Sequence, residues 1–161
     1  MTTDQATFAV RAVPYDDPGA EELRTAMEAE MGLRYADRLA DPGHLPPDMK
    51  VRAETVLYTG VAFDGGVPVG HVTLRRLGEE VELKRMYVAP SHRGSGVARA
   101  LLAAAEEAAR ALGARRIILQ TGDRQPDAVR VYEREGYTRV PIFPPYESLD
   151  YSFCFEKALA P

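Results

Sequence analysis

Residues 82–98 read ELKRMYVAPSHRGSGVA, and the succession of residue types in this stretch decides which fold the chain can adopt. Glu82 to Val88 is a run of strand-forming residues that stops at Pro90, which has no N–H to give a sheet ladder. Gly94 and Gly96 then supply a tight turn. From Val97 the apolar residues recur at helical spacing (Val97, Leu101, Ala105, Ala108, Leu112), so the stretch predicts strand, turn and helix in succession. The first N–H groups of such a helix have no acceptor within it, and together with the positive end of the helix dipole they suit a phosphate. Glycine at 94 and 96 lets a ligand approach the main chain with no Cβ in the way. The chemistry implied is a phosphate-bearing ligand held by backbone amides.

Two common phosphate binders are excluded by single residues. A nucleoside-triphosphate loop continues with Lys-Ser/Thr after its second glycine, where Val97-Ala98 stands; a dinucleotide fingerprint needs Gly or Ala at 99, where Arg99 stands. Arg93-x-x-Gly96-x-Ala98 instead resembles the Gln/Arg-x-x-Gly-x-Gly/Ala signature of the GNAT superfamily, the acyl-CoA-dependent N-acetyltransferases. A second segment, Gln125 to Tyr137 (QPDAVRVYEREGY), is similar to that family's Asn-x-x-Ala-x-x-x-Tyr-x-x-x-Gly-Phe/Tyr run, with Gln125 where Asn is usual. Pro126 suits a first helical position and Gly136 the left-handed residue just past the end. Ala128, Val131, Tyr132 and Glu135 share one helical stripe, which turns Tyr132 inward.

The chain has 161 residues, 45% hydrophobic and 27% charged, as expected of one globular domain spanning 1–161. No apolar run approaches the ~20 residues that cross a bilayer, so no membrane partner is expected. The start, MTTDQATF, lacks the basic region and apolar core of a signal peptide. Lone Cys154 excludes an internal disulfide and fits a reducing, cytoplasmic setting. A formal charge of −4 argues against a nucleic-acid partner.

Phe8 to Val13 predicts a first strand, and Gly19 to Met31, with Leu23, Met27 and Met31 four apart, an amphipathic helix. Residues 32–50 carry Pro42, Pro46 and Pro47 and predict a long connection with a short helix near Arg34 to Leu39. Glu54 to Phe63 and Val67 to Leu77 flank Asp64-Gly65-Gly66, a hairpin turn, and Glu80 to Val88 follows a second turn at Gly78. A helix over 94–112, a strand over 115–121, the helix bearing Tyr132, a strand over 137–142 and a last one over 151–155 complete β-α-β-β-β-α-β-α-β-β. The strand–helix–strand unit over 82–121 predicts a parallel crossover, with antiparallel hairpins on one side.

The resemblance, which covers about Val67 to Ile142, implies an α/β sandwich. Its sheet would be mixed and mostly antiparallel, with a central splayed parallel strand pair and helices on both faces. It implies acetyl-CoA as acyl donor and a small-molecule or peptide amine as acceptor. The acyl-pantetheine arm would enter the gap between the parallel strands and pair with backbone groups of Met86 and Val88. Arg93, Gly94, Ser95, Gly96, Val97 and Ala98 would hold the pyrophosphate, with Gln125 beside them.

Acyl transfer needs an amine freed of its proton, a proton for the departing thiolate and a donor at the tetrahedral oxygen. By the same resemblance Tyr132 is the candidate acid near sulfur, against the plain alternative of a core aromatic. Glu82 is the candidate base, with a water path, or a strand glutamate paired to Lys84 or Arg85, as alternatives. Alternation puts Glu82 on the face of Lys84, Met86 and Val88. Region 16–50 and turn 142–150, with Tyr35, Tyr146 and Glu147, are expected to wall the acceptor pocket. Cys154 reads as a core residue rather than a nucleophile, and the dispersed His44, His71 and His92 predict no metal site. The C-terminal hairpin offers a sheet edge for pairing into a homodimer. A non-catalytic acyl-CoA sensor is the other class of protein these residues fit.

Overall fold

The computed structural model describes residues 8–37 and 50–160. Among them one seven-stranded sheet runs in the order β1-β2-β3-β4-β5-β7-β6. Its strands are β1 (Ala9–Ala12), β2 (Val56–Asp64), β3 (Val67–Leu77), β4 (Glu80–Val88), β5 (Arg116–Gly122), β6 (Thr138–Val140) and β7 (Ser152–Ala158). Helices α1 (Pro18–Arg34), α2 (Val97–Ala111) and α3 (Pro126–Arg134) complete the element order that the sequence predicts. The β4–β5 pair is parallel and its neighbours are antiparallel. Antiparallel strands therefore flank the parallel pair on both sides, not one, because β7 adds beyond β5 and β6 closes the far edge. No helix among the described residues is long and apolar enough to cross a membrane.

Helix α1 opens on Asp17, whose carboxylate accepts the Ala20 N–H at 3.1 Å, with Pro18 in the first turn. It runs nearly a turn past the predicted Met31, to Arg34, which ties back to Glu30 at 2.9 Å. Tyr35 to Asp37 of the expected short helix form a turn instead, and residues 38–39 with the prolines of the connection lie outside the described residues.

The two sheet faces carry different helices. Val72, Leu74, Leu83, Ile117, Leu119 and Phe155 pack against Val97, Leu101, Leu102 and Ala105 of α2 and Tyr132 of α3. Burying each such leucine contributes ~1.5–3 kcal/mol. A Cβ on Gly70 would lie 2.6 Å from Val97 Cγ1 and 2.8 Å from Leu101 Cδ1, so α2 sits directly on β3 only because that position is glycine. On the opposite face Val61 and Tyr87 meet Ala20 and Leu23 of α1.

Strand β4 does not keep a single alternation. His71 of β3 stands opposite Tyr87 and Thr73 opposite Lys84, so the two residues of β4 between Tyr87 and Lys84 face one residue of β3. The extra residue is taken up at Arg85, whose φ is +57°. Glu82 and Lys84 therefore face the α1 side, while Met86 and Val88 pack on the α2 side. This corrects the shared face that strict alternation predicts. Parallel pairing of β4 with β5 is limited to Glu82 with Ile118 and Leu83 with Leu119, and beyond that rung the ladder stops.

Candidate active site

Met86, Val88, Arg93, Gly94, Ser95, Gly96, Ala98, Gln125 and Tyr132 line one cleft of about 1090 Å³ between β4, the mouth of α2 and α3. Its volume lies just above the ~300–1,000 Å³ usual for small-molecule sites. Val97 is the exception among the expected ligand residues, since its side chain is buried under the cradle and only its backbone can contribute.

The mouth of α2 is built from main chain. Gly96 caps the helix in the left-handed region at φ +95°, and Gly94 sits at φ +78°. The Ala100 N–H reaches the Gly96 carbonyl at 3.1 Å, so the N–H groups of residues 97–99 precede the intrahelical ladder. Nothing lies within 4 Å of a Cβ built on Gly96, which leaves open space where phosphate oxygens would approach those donors. Gly96→Leu combines backbone strain with a side chain in that space, and affinity for the acetyl-CoA that the sequence resemblance implies should fall about tenfold or more. Calorimetric titration measures it, and an unchanged affinity would mean that the phosphates sit elsewhere.

The Arg93 side chain does not stand free at the mouth. Its Nε donates to the Val88 carbonyl at 3.0 Å and its Nη2 meets Glu30 Oε1 of α1 at 2.7 Å, so it ties the cleft wall together. The outer rim is basic through Arg99, Arg130 and Arg134, balanced in part by Asp127 and Glu135. Met27, Glu30, Met31 and Arg34 of α1 form the facing wall, so the stripe on which the sequence puts Met27 and Met31, within a region expected to wall the acceptor pocket, lines the same cleft as the α2 mouth. Their i, i+3, i+4, i+7 spacing is the signal for that wall.

Tyr132 is 5% exposed, packed against Tyr137 at 5.7 Å and Phe155 at 6.0 Å between ring centroids, and it lines the cleft. Burial pushes its phenol well above the usual range, so it keeps its proton at neutral pH.

Glu82 lies on the other face, fully buried. Its Oε1 accepts from Arg75 Nε at 2.8 Å and its Oε2 from the Tyr146 hydroxyl at 2.6 Å. That hydroxyl in turn accepts from Lys84 Nζ at 2.9 Å and Arg75 Nη2 at 3.1 Å. The structure thus joins Glu82 and Tyr146, two residues singled out from distant parts of the sequence, in one ionic cluster. The alternative partner for Glu82 is neither Lys84 nor Arg85 but Arg75, directly opposite it on β3. Tyr35 is also buried; its hydroxyl accepts the Arg124 N–H at 3.1 Å and its ring stacks on Tyr151, which fixes the loop after β5. Glu147 is exposed in the turn that carries Tyr146. Cys154 is buried in β7, as a core residue should be.

The displacement in β4 has its own support. His71, fully buried, bonds the Arg85 carbonyl through Nδ1 at 2.8 Å and Arg24 Nη1 through Nε2 at 2.9 Å. A guanidinium can only donate, so Nε2 accepts and Nδ1 carries the proton to Arg85: the ring is neutral. Arg24 is itself held by the Tyr15 carbonyl. Burial and the nearby guanidinium groups of Arg24 and Arg85 pull the imidazole down to about 4, against its backbone bond to Arg85. Below pH 6.5 the unfolded chain takes up a proton that the folded one refuses, so stability falls with pH, by about 3 kcal/mol at pH 4. Urea unfolding at pH 7 and pH 4.5 should show a steeper acid loss for the parent than for His71→Gln; parallel slopes would contradict the assignment.

The family model of the Acetyltransferase (GNAT) family matches residues 20–137, and the chain belongs to that family. It is 33% identical over 122 residues to the IAA acetyltransferase of Azospirillum brasilense, covering 74% of this chain and 79% of that one. Among solved structures it resembles a Klebsiella pneumoniae protein assigned as an acyl-CoA N-acyltransferase, with TM-score 0.76 and 29% identity over 95% of this chain and 98% of the other. It shares the fold of a GNAT family acetyltransferase from Elizabethkingia anophelis with acetyl-CoA bound, at TM-score 0.69 and 14% identity, covering 95% of this chain and 99% of that one.

Proposed function

We propose that the chain is an N-acetyltransferase that moves the acetyl group of acetyl-CoA to a primary amine by direct attack in a ternary complex. The observation that carries this reading is the single cleft that joins the amide-lined mouth of α2 to Tyr132 beside the parting strands. When bound, the thioester supplies an activated acetyl carbon. The N–H groups at the start of α2 hold the diphosphate, and the backbone of Met86 and Val88, past the last β4–β5 rung, pairs with the pantetheine arm.

Tyr132 is set to hydrogen-bond the departing sulfur, a bond that strengthens as negative charge builds there. For the amine's proton the geometry favours solvent over Glu82. Both carboxylate oxygens are already engaged as acceptors, which suits a counter-ion that fixes Arg75 and Tyr146. Tyr146 and Glu147 belong to the acceptor wall in this reading, and Tyr35 to its support. The test is thiol release from acetyl-CoA across a panel of amines. A protein that binds acetyl-CoA yet releases no thiol with any amine is a sensor, and the proposal is then wrong.

A further inference from the structure

On the α1 face three strands present a row of polar groups at the point where β4 leaves β5. Thr59, Thr73 and Lys84 stand directly opposite one another across β2, β3 and β4. Residues so placed share a face with Cβ atoms ~4.5–5.5 Å apart. Thr59 is 2% and Thr73 0% exposed, and neither hydroxyl has a hydrogen-bond partner among the described residues. A buried hydroxyl left unsatisfied is costly, and each such group asks for an explanation.

Lys84 next to them is short of negative charge. Its ammonium donates to the Tyr146 hydroxyl, and the one carboxylate in the cluster, Glu82, has its oxygens taken by Arg75 and Tyr146. Among the described residues Lys84 forms no salt bridge, and the cations Arg75 and Arg85 stand near it. Burial, opposed by Glu82 and reinforced by those two arginines, pulls its ammonium down to about 8, still mostly protonated at pH 7. An ammonium and two hydroxyls in one row can all donate to a single anionic group. The row begins one residue past the last parallel rung, where the acetyl group would emerge on the acceptor side.

Resting on the acetyl-transfer reading, we propose that Lys84 and Thr73, with Thr59 beside them, receive the carboxylate of the acceptor, so that the substrate class is the amino acids. The carboxylate would anchor the acceptor and leave its α-amine to attack across the strand gap. Thiol release is measured for a series of amino acids against their carboxamides, in the parent, Lys84→Met, Lys84→Arg and Thr73→Val, with acetyl-CoA affinity measured alongside as a check on folding. In the parent, kcat/KM for the acid should exceed that for the matched amide about tenfold or more. Lys84→Met should bring the acid down to the amide, Lys84→Arg should keep part of the preference, and Thr73→Val should raise KM for the acid alone. Amides that serve as well as acids in the parent, or a Lys84→Met protein that keeps the preference, would overturn the carboxylate site and leave the acetyl-transfer reading standing. Should other amines of the panel release thiol while neither amino acids nor their amides do, the carboxylate site alone fails; should no amine of any kind release thiol, the acetyl-transfer reading fails and this one with it. A Lys84→Met protein that no longer binds acetyl-CoA hands the decision to the parent's acid-to-amide ratio and to Thr73→Val.

Discussion

Tyr132→Phe is expected to lower kcat about a hundredfold while leaving acetyl-CoA affinity nearly unchanged, the scale of losing one donor at a site of developing charge. The substitution removes one oxygen from a ring that is otherwise buried against Tyr137 and Phe155, so packing is conserved. Ground-state binding rests on the main chain of the α2 mouth, which the phenol does not touch in this reading. The effect should therefore fall on the chemical step, and single-turnover thiol release separates it from product departure. Equal rates in variant and parent would remove Tyr132 from the reaction. A matching rise in the dissociation constant for acetyl-CoA would recast it as a binding residue.

Glu82→Gln should act chiefly on stability. Arg75 is 3% exposed and loses its counter-charge in this variant, and Tyr146 loses an ionised acceptor. Removing one member of a buried ion pair destabilises by about 3–5 kcal/mol. For a chain of this size that is about 10 °C in melting temperature. Replacing both partners by apolar residues, Arg75→Met with Glu82→Leu, should recover part of the loss, since the buried guanidinium is then gone while the Lys84 ammonium still loses its nearby carboxylate. A Glu82→Gln protein that melts with the parent but has lost its activity would return Glu82 to the role of base.

The residues that made the fold legible were those whose patterns are local. The glycines at 94 and 96, the helical spacing after Val97 and the hairpin at Asp64-Gly65-Gly66 depend on a few neighbours, and β3, β4 and the α2 side of the cleft follow from them. What stayed hidden depends on partners far along the chain. Arg75 and Glu82 meet through strand register, and Tyr146 joins them from a turn 64 residues beyond Glu82. The extra residue at Arg85 has no signal in the sequence, because an arginine at positive φ is an exception to the rule for that conformation. It takes His71 and Arg24, from β3 and α1, to hold it, and their convergence is a property of the assembled sheet. The role of Glu30 in the α1 wall is of the same kind, since it comes from reaching Arg93 63 residues away.

The sheet is fastened across its middle by just two residue pairs, Glu82 with Ile118 and Leu83 with Leu119. The strands from β1 to β4 form one plate, and β5, β7 and β6 another, joined at a narrow hinge. A slender molecule lodged in that seam would lace the plates together, and each turnover would have to unlace them. Stiffness gained on such loading would be surrendered at every departure, so a joint that admitted the donor would also set how readily the spent carrier leaves.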